Sequence, residues 1–386
     1  MMLKAECISC DILGEAYTDQ AELFRSILDQ YNGTPVGLFT GDECLSGLSP
    51  IQGTELCSVA EQMYSYELLY AYTGDPKWAQ RLEVLAFNAL PASISDDMWT
   101  HQYVQMSNQI ACQRFPGRFL FRTNGSEAHL FGLEPNFGCC TANFGQAWPK
   151  FACSAFLHHG NEIISAIPVP SVLKTDGISI ILETEYPFKN TLVYQIHADK
   201  EFMFKVRIPS FAENLMVNGQ STTTNGCLCF SVDASKDQTI RITFDTKPMF
   251  IDRPYQLKTA VCGSLVFSLP IQYEKKMYEY EADGVERKYP YCDYEYLGTS
   301  EWSYGFADTN LTVEYRSISD VPFSSTRPPV VLKAKAAAIN WGLEDGFETV
   351  CARVPDSRTP KDPPKEVLLY PYGCAKLRMT ELPLVE

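Results

Sequence analysis

Apolar positions recur at helical spacing through the first 160 or so residues and at alternating, strand-like spacing after that. The chain therefore reads as a helical portion followed by a β portion, an α+β, multi-domain pattern. Phe24, Ile27, Leu28 and Tyr31 place a helix over Asp19–Tyr31 that stops at Asn32-Gly33. Val59, Met63, Tyr66, Leu69 and Tyr70 line one side of a second helix, Glu55–Tyr72, ended by Thr73-Gly74. Asp75-Pro76 opens a third, with Asp as N-cap and Pro at the first helical position. It runs through Trp78, Leu82, Leu85 and Ala86 to about Leu90. Strand-like pieces follow near Thr100–Met106 and Arg118–Arg122. A fourth helix is expected from about Thr141 to His159, closed by Gly160 and loosened at Pro149. The vicinal His158-His159 would then sit at that helix's C-terminal end, where its dipole favours them.

Beyond Asn161 the period changes. Glu162–Ile167, Gly177–Glu183, Thr191–His197, Phe202–Ile208 and Thr239–Phe244 are short β-rich runs separated by turn residues, the spacing of an antiparallel sandwich. Met216-Val-Asn-Gly219 carries a hairpin turn. Thr259–Leu269 reads as one strong strand, and the tail adds strands at Leu311–Tyr315, Val330–Ala334 and Val367–Tyr370. The expected division is residues 1–160 against 161–386, the latter as one or two sandwiches split near 250–280.

Composition narrows the function classes. A formal net charge of −15 argues against nucleic acid, which needs a basic footprint, and disfavours anionic membranes. No apolar run reaches the roughly 18 residues that span a bilayer. The N-terminus lacks a charged segment followed by an apolar stretch. Fourteen cysteines in 386 residues are too sparse for a disulfide scaffold and read as reduced thiols, which fits a cytoplasmic setting. The 21 Tyr and 22 Phe suit sugar-binding faces, although a large β core uses the same residues.

The sharpest chemical feature is Cys139-Cys140, introduced by Pro135-Asn136-Phe137-Gly138 and followed at once by a helix. Adjacent cysteines rarely bridge each other, and a helix N-terminus biases both toward thiolate. A second cluster, Thr54-Glu55-Leu56-Cys57, opens another helix. Glu55, Cys57, Cys139 and Cys140 together form a three-sulfur, one-oxygen set that suits tetrahedral Zn²⁺. The competing reading is three ordinary buried thiols, because the spacing is no standard structural-zinc pattern. Cys7 and Cys10 form a half-motif with no partner pair. The Gly-rich loop Gly37–Glu43 runs through Leu45–Thr54 into Glu55, so Asp42 or Glu43 would lie beside the metal as a general acid/base, or simply as a solvated pair in a turn.

Gly37–Glu43, Gln52–Cys57, Gly138–Cys140, Lys205–Ser210 with Val217–Gly219, Cys262–Pro270, Trp341–Leu343 and Leu369–Arg378 together resemble glycoside hydrolase family 127 from about residue 20 to 383. The resemblance implies hydrolysis of β-L-arabinofuranosides or related pentosides with retention, through a cysteine nucleophile instead of the usual second carboxylate. It implies Cys139 as nucleophile, Zn²⁺ held by Glu55, Cys57, Cys139 and Cys140, and Glu43 as acid/base ahead of Asp42. Tyr103 is implied on the nucleophile side of the sugar, with Asp42 as a further substrate contact.

The family's catalytic domain is an (α/α)₆ barrel. Residues 1–160 hold about four or five helices, so the resemblance implies the C-terminal half of such a barrel and places the remaining helices outside this chain. Apolar helix faces would then be exposed, which points to a homodimer or to a partner polypeptide supplying helices. The alternative is a non-catalytic carbohydrate-binding or scaffold protein, or an inactive fragment, with a structural zinc site.

Overall fold

The computed structural model describes residues 2–132, 137–282 and 284–386. Pro135 and Asn136, which introduce the paired cysteines, lie outside the described residues. The chain is a mixed helix and sheet protein in which antiparallel sheets dominate. It forms two compact units, each assembled from three stretches: residues 1–17, 63–83 and 147–247, and residues 18–62, 84–146 and 248–386.

The first unit is built around two sheets. One has four strands, in the order Cys227–Val232, Phe202–Arg207, Glu162–Ser165 and Phe156–His159. The other has six, running from Gln220–Ser221 through Glu213–Val217, Gln238–Asp245, Thr191–Ala198 and Ile178–Thr184 to Ser171–Thr175. Alternate residues point inward: Leu192, Tyr194, Ile196 and Ala198 are buried along one strand, and Phe202, Phe204 and Val206 along another. The Val217–Gln220 hairpin turns through Asn218 and Gly219, both at positive φ, as the sequence signal requires. The helix Pro76–Val84 belongs to this unit through Glu83, and its Trp78 stacks on Tyr66 with ring centroids 5.6 Å apart. Glu83 ends that stretch as a fully buried carboxylate. It pairs with the equally buried Arg207 and accepts a hydrogen bond from the Tyr186 hydroxyl at 2.6 Å.

The second unit centres on a ten-stranded sheet whose spine runs Pro248–Arg253, Leu257–Cys262, Leu265–Pro270, Lys365–Pro371, Val330–Ala338 and Tyr304–Phe306. The expected single strand Thr259–Leu269 is in fact the hairpin Leu257–Cys262 and Leu265–Pro270. Gly263 at φ +60 makes the turn, a residue that apolar spacing alone reads straight through. Asn88 ties the sheet to the chain before it. Its amide donates to the carbonyls of Val84 and Ser264, and its oxygen accepts from Val266 N–H, each at 2.8 Å.

Three helices begin within a residue or two of their expected starts, at Gln20–Asn32, Leu56–Thr73 and Pro76–Val84. The last gives way early to a wider turn at Leu85–Ala89 ahead of Pro91, which has no N–H to continue the α ladder. The expected fourth helix is Gly138–Cys153, and its C-terminal end is a correction. His158 and His159 lie on the strand Phe156–His159, opposite Ile163 and Glu162, and Gly160 at φ +59 turns that hairpin instead of capping a helix. Arg118–Arg122 forms no strand, and Thr100–Met106 contributes only Val104–Gln105.

Candidate metal centre and active site

Gly53 begins the geometry. A Cβ there would fall 2.0 Å from Val104 Cγ1 and 2.8 Å from the Gln105 carbonyl, so only glycine lets Thr54–Glu55 pair antiparallel with Val104–Gln105. That pairing sets Glu55 opposite Val104, and the next amide, Leu56 N–H, donates to the Tyr103 carbonyl at 2.8 Å. The chain turns directly into the helix Leu56–Thr73, which puts Cys57 in its first turn. Cys139 and Cys140 occupy the first turn of the helix Gly138–Cys153. Two helix N-termini, each a source of partial positive charge, thus carry the three sulfurs.

The ligand atoms of Glu55, Cys57, Cys139 and Cys140 all lie within 4.8 Å of one another. The Cys57 and Cys140 sulfurs are 3.3 Å apart. Cys140 is buried, Glu55 and Cys57 are half-buried, and Cys139 is exposed at the edge of the cluster. The electrostatics are those of crowded anions. Hydrogen bonding from Cys140 leads the effects that bring Cys57 down to about 5, with Asn143, Glu55 and Cys139 adding to it. Burial, together with the charge on Cys57, pushes Glu55 up to about 8, and Cys139 is raised by the same causes. Cys140 is pushed far up, chiefly by its bond to Cys57. A divalent cation relieves all four groups at once. The donor set, three soft sulfurs and one carboxylate, fits a metal ion of the zinc class.

Asp42 and Glu43 differ sharply. Asp42 is buried, and its Oδ2 accepts from Thr123 N–H and Thr123 Oγ1, both at 2.6 Å, and from Asn124 Nδ2 at 3.1 Å. Burial opposes ionisation, but these bonds outweigh it and hold the carboxyl below its ordinary range. Glu43 is exposed, and its Oε1 accepts the Tyr103 hydroxyl at 2.9 Å. Tyr103 is buried and stacked on Phe137, with centroids 3.9 Å apart and planes 12° apart. Burial, then the Glu55 charge, raise the Tyr103 phenol far above its ordinary value, so it stays protonated and donates.

No family model matches the chain, and no curated protein matches it. Solved structures do. A family 127 β-L-arabinofuranosidase from Geobacillus stearothermophilus T6 superposes at a TM-score of 0.65 with 14% identity, over 98% of this chain and 58% of that one. A protein described as a glycoside hydrolase aligns at 0.63 and 13% identity, over 95% of this chain and 62% of its own. A family 127 β-arabinofuranosidase aligns at 0.61 and 15% identity, over 99% and 59%. The chain shares their fold. It spans about three fifths of the length of each.

Three supporting groups carried no sequence signal. His101 Nε2 lies 2.9 Å from Thr141 Oγ1, beside the paired cysteines. Asn143, one helical turn beyond Cys139, helps to lower Cys57. The Thr123-Asn124 pair holds Asp42. Each is one or two polar residues in irregular chain or a helix turn, where no periodicity marks them. The other histidines serve elsewhere: His129, fully buried, bonds Gln113, and His197 pairs with Asp237 on the surface.

Proposed function

We propose that the chain carries the catalytic centre of a retaining, zinc-thiolate glycosidase acting on β-L-arabinofuranosides or related pentosides. One observation carries the reading: two sequence-distant motifs converge on one cluster within 4.8 Å, with Cys139 the exposed sulfur at its edge. The fold shared with family 127 enzymes supports it, and so does an exposed Glu43 aimed by Tyr103. In this reading Glu55, Cys57, Cys139 and Cys140 hold Zn²⁺, which keeps the sulfurs deprotonated at neutral pH. The helices of the chain would form part of an (α/α)₆ barrel, with sandwich material after residue 160.

Cys139 thiolate attacks the anomeric carbon as the glycosidic C–O bond breaks, and the Glu43 carboxyl gives its proton to the departing oxygen. Water then attacks the same carbon, Glu43 carboxylate takes the water's proton, and the C–S bond breaks to regenerate the thiolate. Two inversions give net retention. Tyr103 keeps Glu43 oriented through both steps. Cys139→Ser should abolish turnover of an aryl β-L-arabinofuranoside, and unchanged rates would remove Cys139 from the mechanism.

The buried and half-buried positions of Cys140, Glu55 and Cys57 fit a second reading, a carbohydrate-binding or scaffold protein with a structural metal. A sugar-based cysteine electrophile separates the two: labelling confined to Cys139 supports the enzyme, and no labelling supports the scaffold.

A further inference from the structure

Asp42 is spoken for. Its Oδ2 takes three hydrogen bonds from one short turn, Phe121–Asn124, which is itself closed by Phe121 N–H to the Asn124 carbonyl at 3.1 Å. The same Thr123 hydroxyl that donates to Asp42 accepts Glu43 N–H at 3.3 Å and Asn124 Nδ2 at 3.2 Å. On the other side, Gly41 N–H donates to the Gly53 carbonyl at 2.8 Å, and Glu55 N–H donates to the Gly41 carbonyl at 3.0 Å. The segment Gly41–Glu43 is therefore held from two directions. Gly41 ties it to the strand that bears Glu55, and Asp42 with Glu43 ties it to the Phe121–Asn124 turn.

We propose that Asp42 and Thr123 form a latch that positions Glu43, so that Asp42 acts as a positioning residue and not as a substrate contact. Three physical features carry this. Asp42 is the buried member of the pair, and its bonds are charge-assisted, hence short and directional. Thr123 links the carboxylate of one residue to the main chain of the next, so a shift in the turn moves Glu43 by its backbone. Tyr103 fixes only the far end of the Glu43 side chain, at Oε1. A group that passes a proton to a departing oxygen must stand within hydrogen-bond reach of it, and misplacement by about 1 Å costs on the order of 100-fold in rate.

The kinetic part of this inference rests on the glycosidase reading, and the backbone part does not. The test uses Thr123→Val, Thr123→Ser and Asp42→Asn in the full chain, with two readouts. Hydrogen exchange read by mass spectrometry should quicken over residues 41–45 in Thr123→Val and Asp42→Asn, and return to wild-type rates in Thr123→Ser. Turnover of an alkyl β-L-arabinofuranoside, whose poor leaving group needs the acid, should fall by about 10- to 100-fold in the first two variants. A 2,4-dinitrophenyl arabinofuranoside, which leaves without a proton, should lose less than about 2-fold in its glycosylation step. Thr123→Ser should restore the alkyl rate. Unchanged exchange over residues 41–45 overturns the latch, whatever the activity. Quickened exchange with equal losses on both substrates overturns its role in aiming Glu43. A wild type that turns over no arabinofuranoside sinks the glycosidase reading, while exchange still decides the latch.

Discussion

Burial and hydrogen bonding together decide what each acidic side chain can do. Asp42 and Glu43 are adjacent, yet one is locked under a turn as a low-pKa acceptor and the other stands exposed with a phenol aimed at it. At Glu67 the balance falls the other way. Its carboxyl is buried, and burial drives it up to about 7, against smaller lowering from the Ser154 hydrogen bond and the Lys150 charge. Because the folded value lies above the unfolded one, the stabilising effect is full at low pH and is lost as pH rises through about 7. Glu67→Gln should thus melt like wild type near pH 4.5 and be more stable than wild type at pH 8, by up to about 3 kcal/mol. Thermal melts of both proteins at the two pH values check this, and a gap that is equal at both contradicts it.

At the scale of elements, the candidate metal centre depends on a glycine. Gly53→Ala would drive a methyl into Val104 and the Gln105 carbonyl. A loss of about 1 to 3 kcal/mol is expected in urea unfolding, together with weakened metal retention, because Glu55 rides on that strand pair. Helix starts and antiparallel strands were legible in the sequence because one-sided burial imprints a period: Gln238–Asp245 and Thr191–Ala198 alternate as the pattern demands. Gly160 and Gly263 were not. A glycine at positive φ ends a helix and turns a hairpin equally well, so Gly160 was misread as closing a helix at His159 and Gly263 hid the break inside Thr259–Leu269. The clustering of Glu55, Cys57, Cys139 and Cys140 was legible because Glu-x-Cys and Cys-Cys both open helices. The Thr123 latch was not, because a contact 81 residues away in irregular chain leaves no local trace.

Over the whole molecule, no helix among the described residues is long and apolar enough to cross a membrane. The helix Gln20–Asn32 nevertheless exposes Leu23, Phe24, Ile27 and Tyr31 as one apolar stripe. Self-association of the isolated chain is expected, and sedimentation should show it. A monodisperse monomer with a cooperative melt would contradict that expectation. The central claim is that two motifs some 80 residues apart build one metal centre within this chain. Elemental analysis of purified wild type and Cys57→Ala tests it most directly. The account predicts about one zinc per chain in the wild type and its loss in the variant. Folded wild-type protein without zinc, or zinc that survives the loss of Cys57, would contradict it.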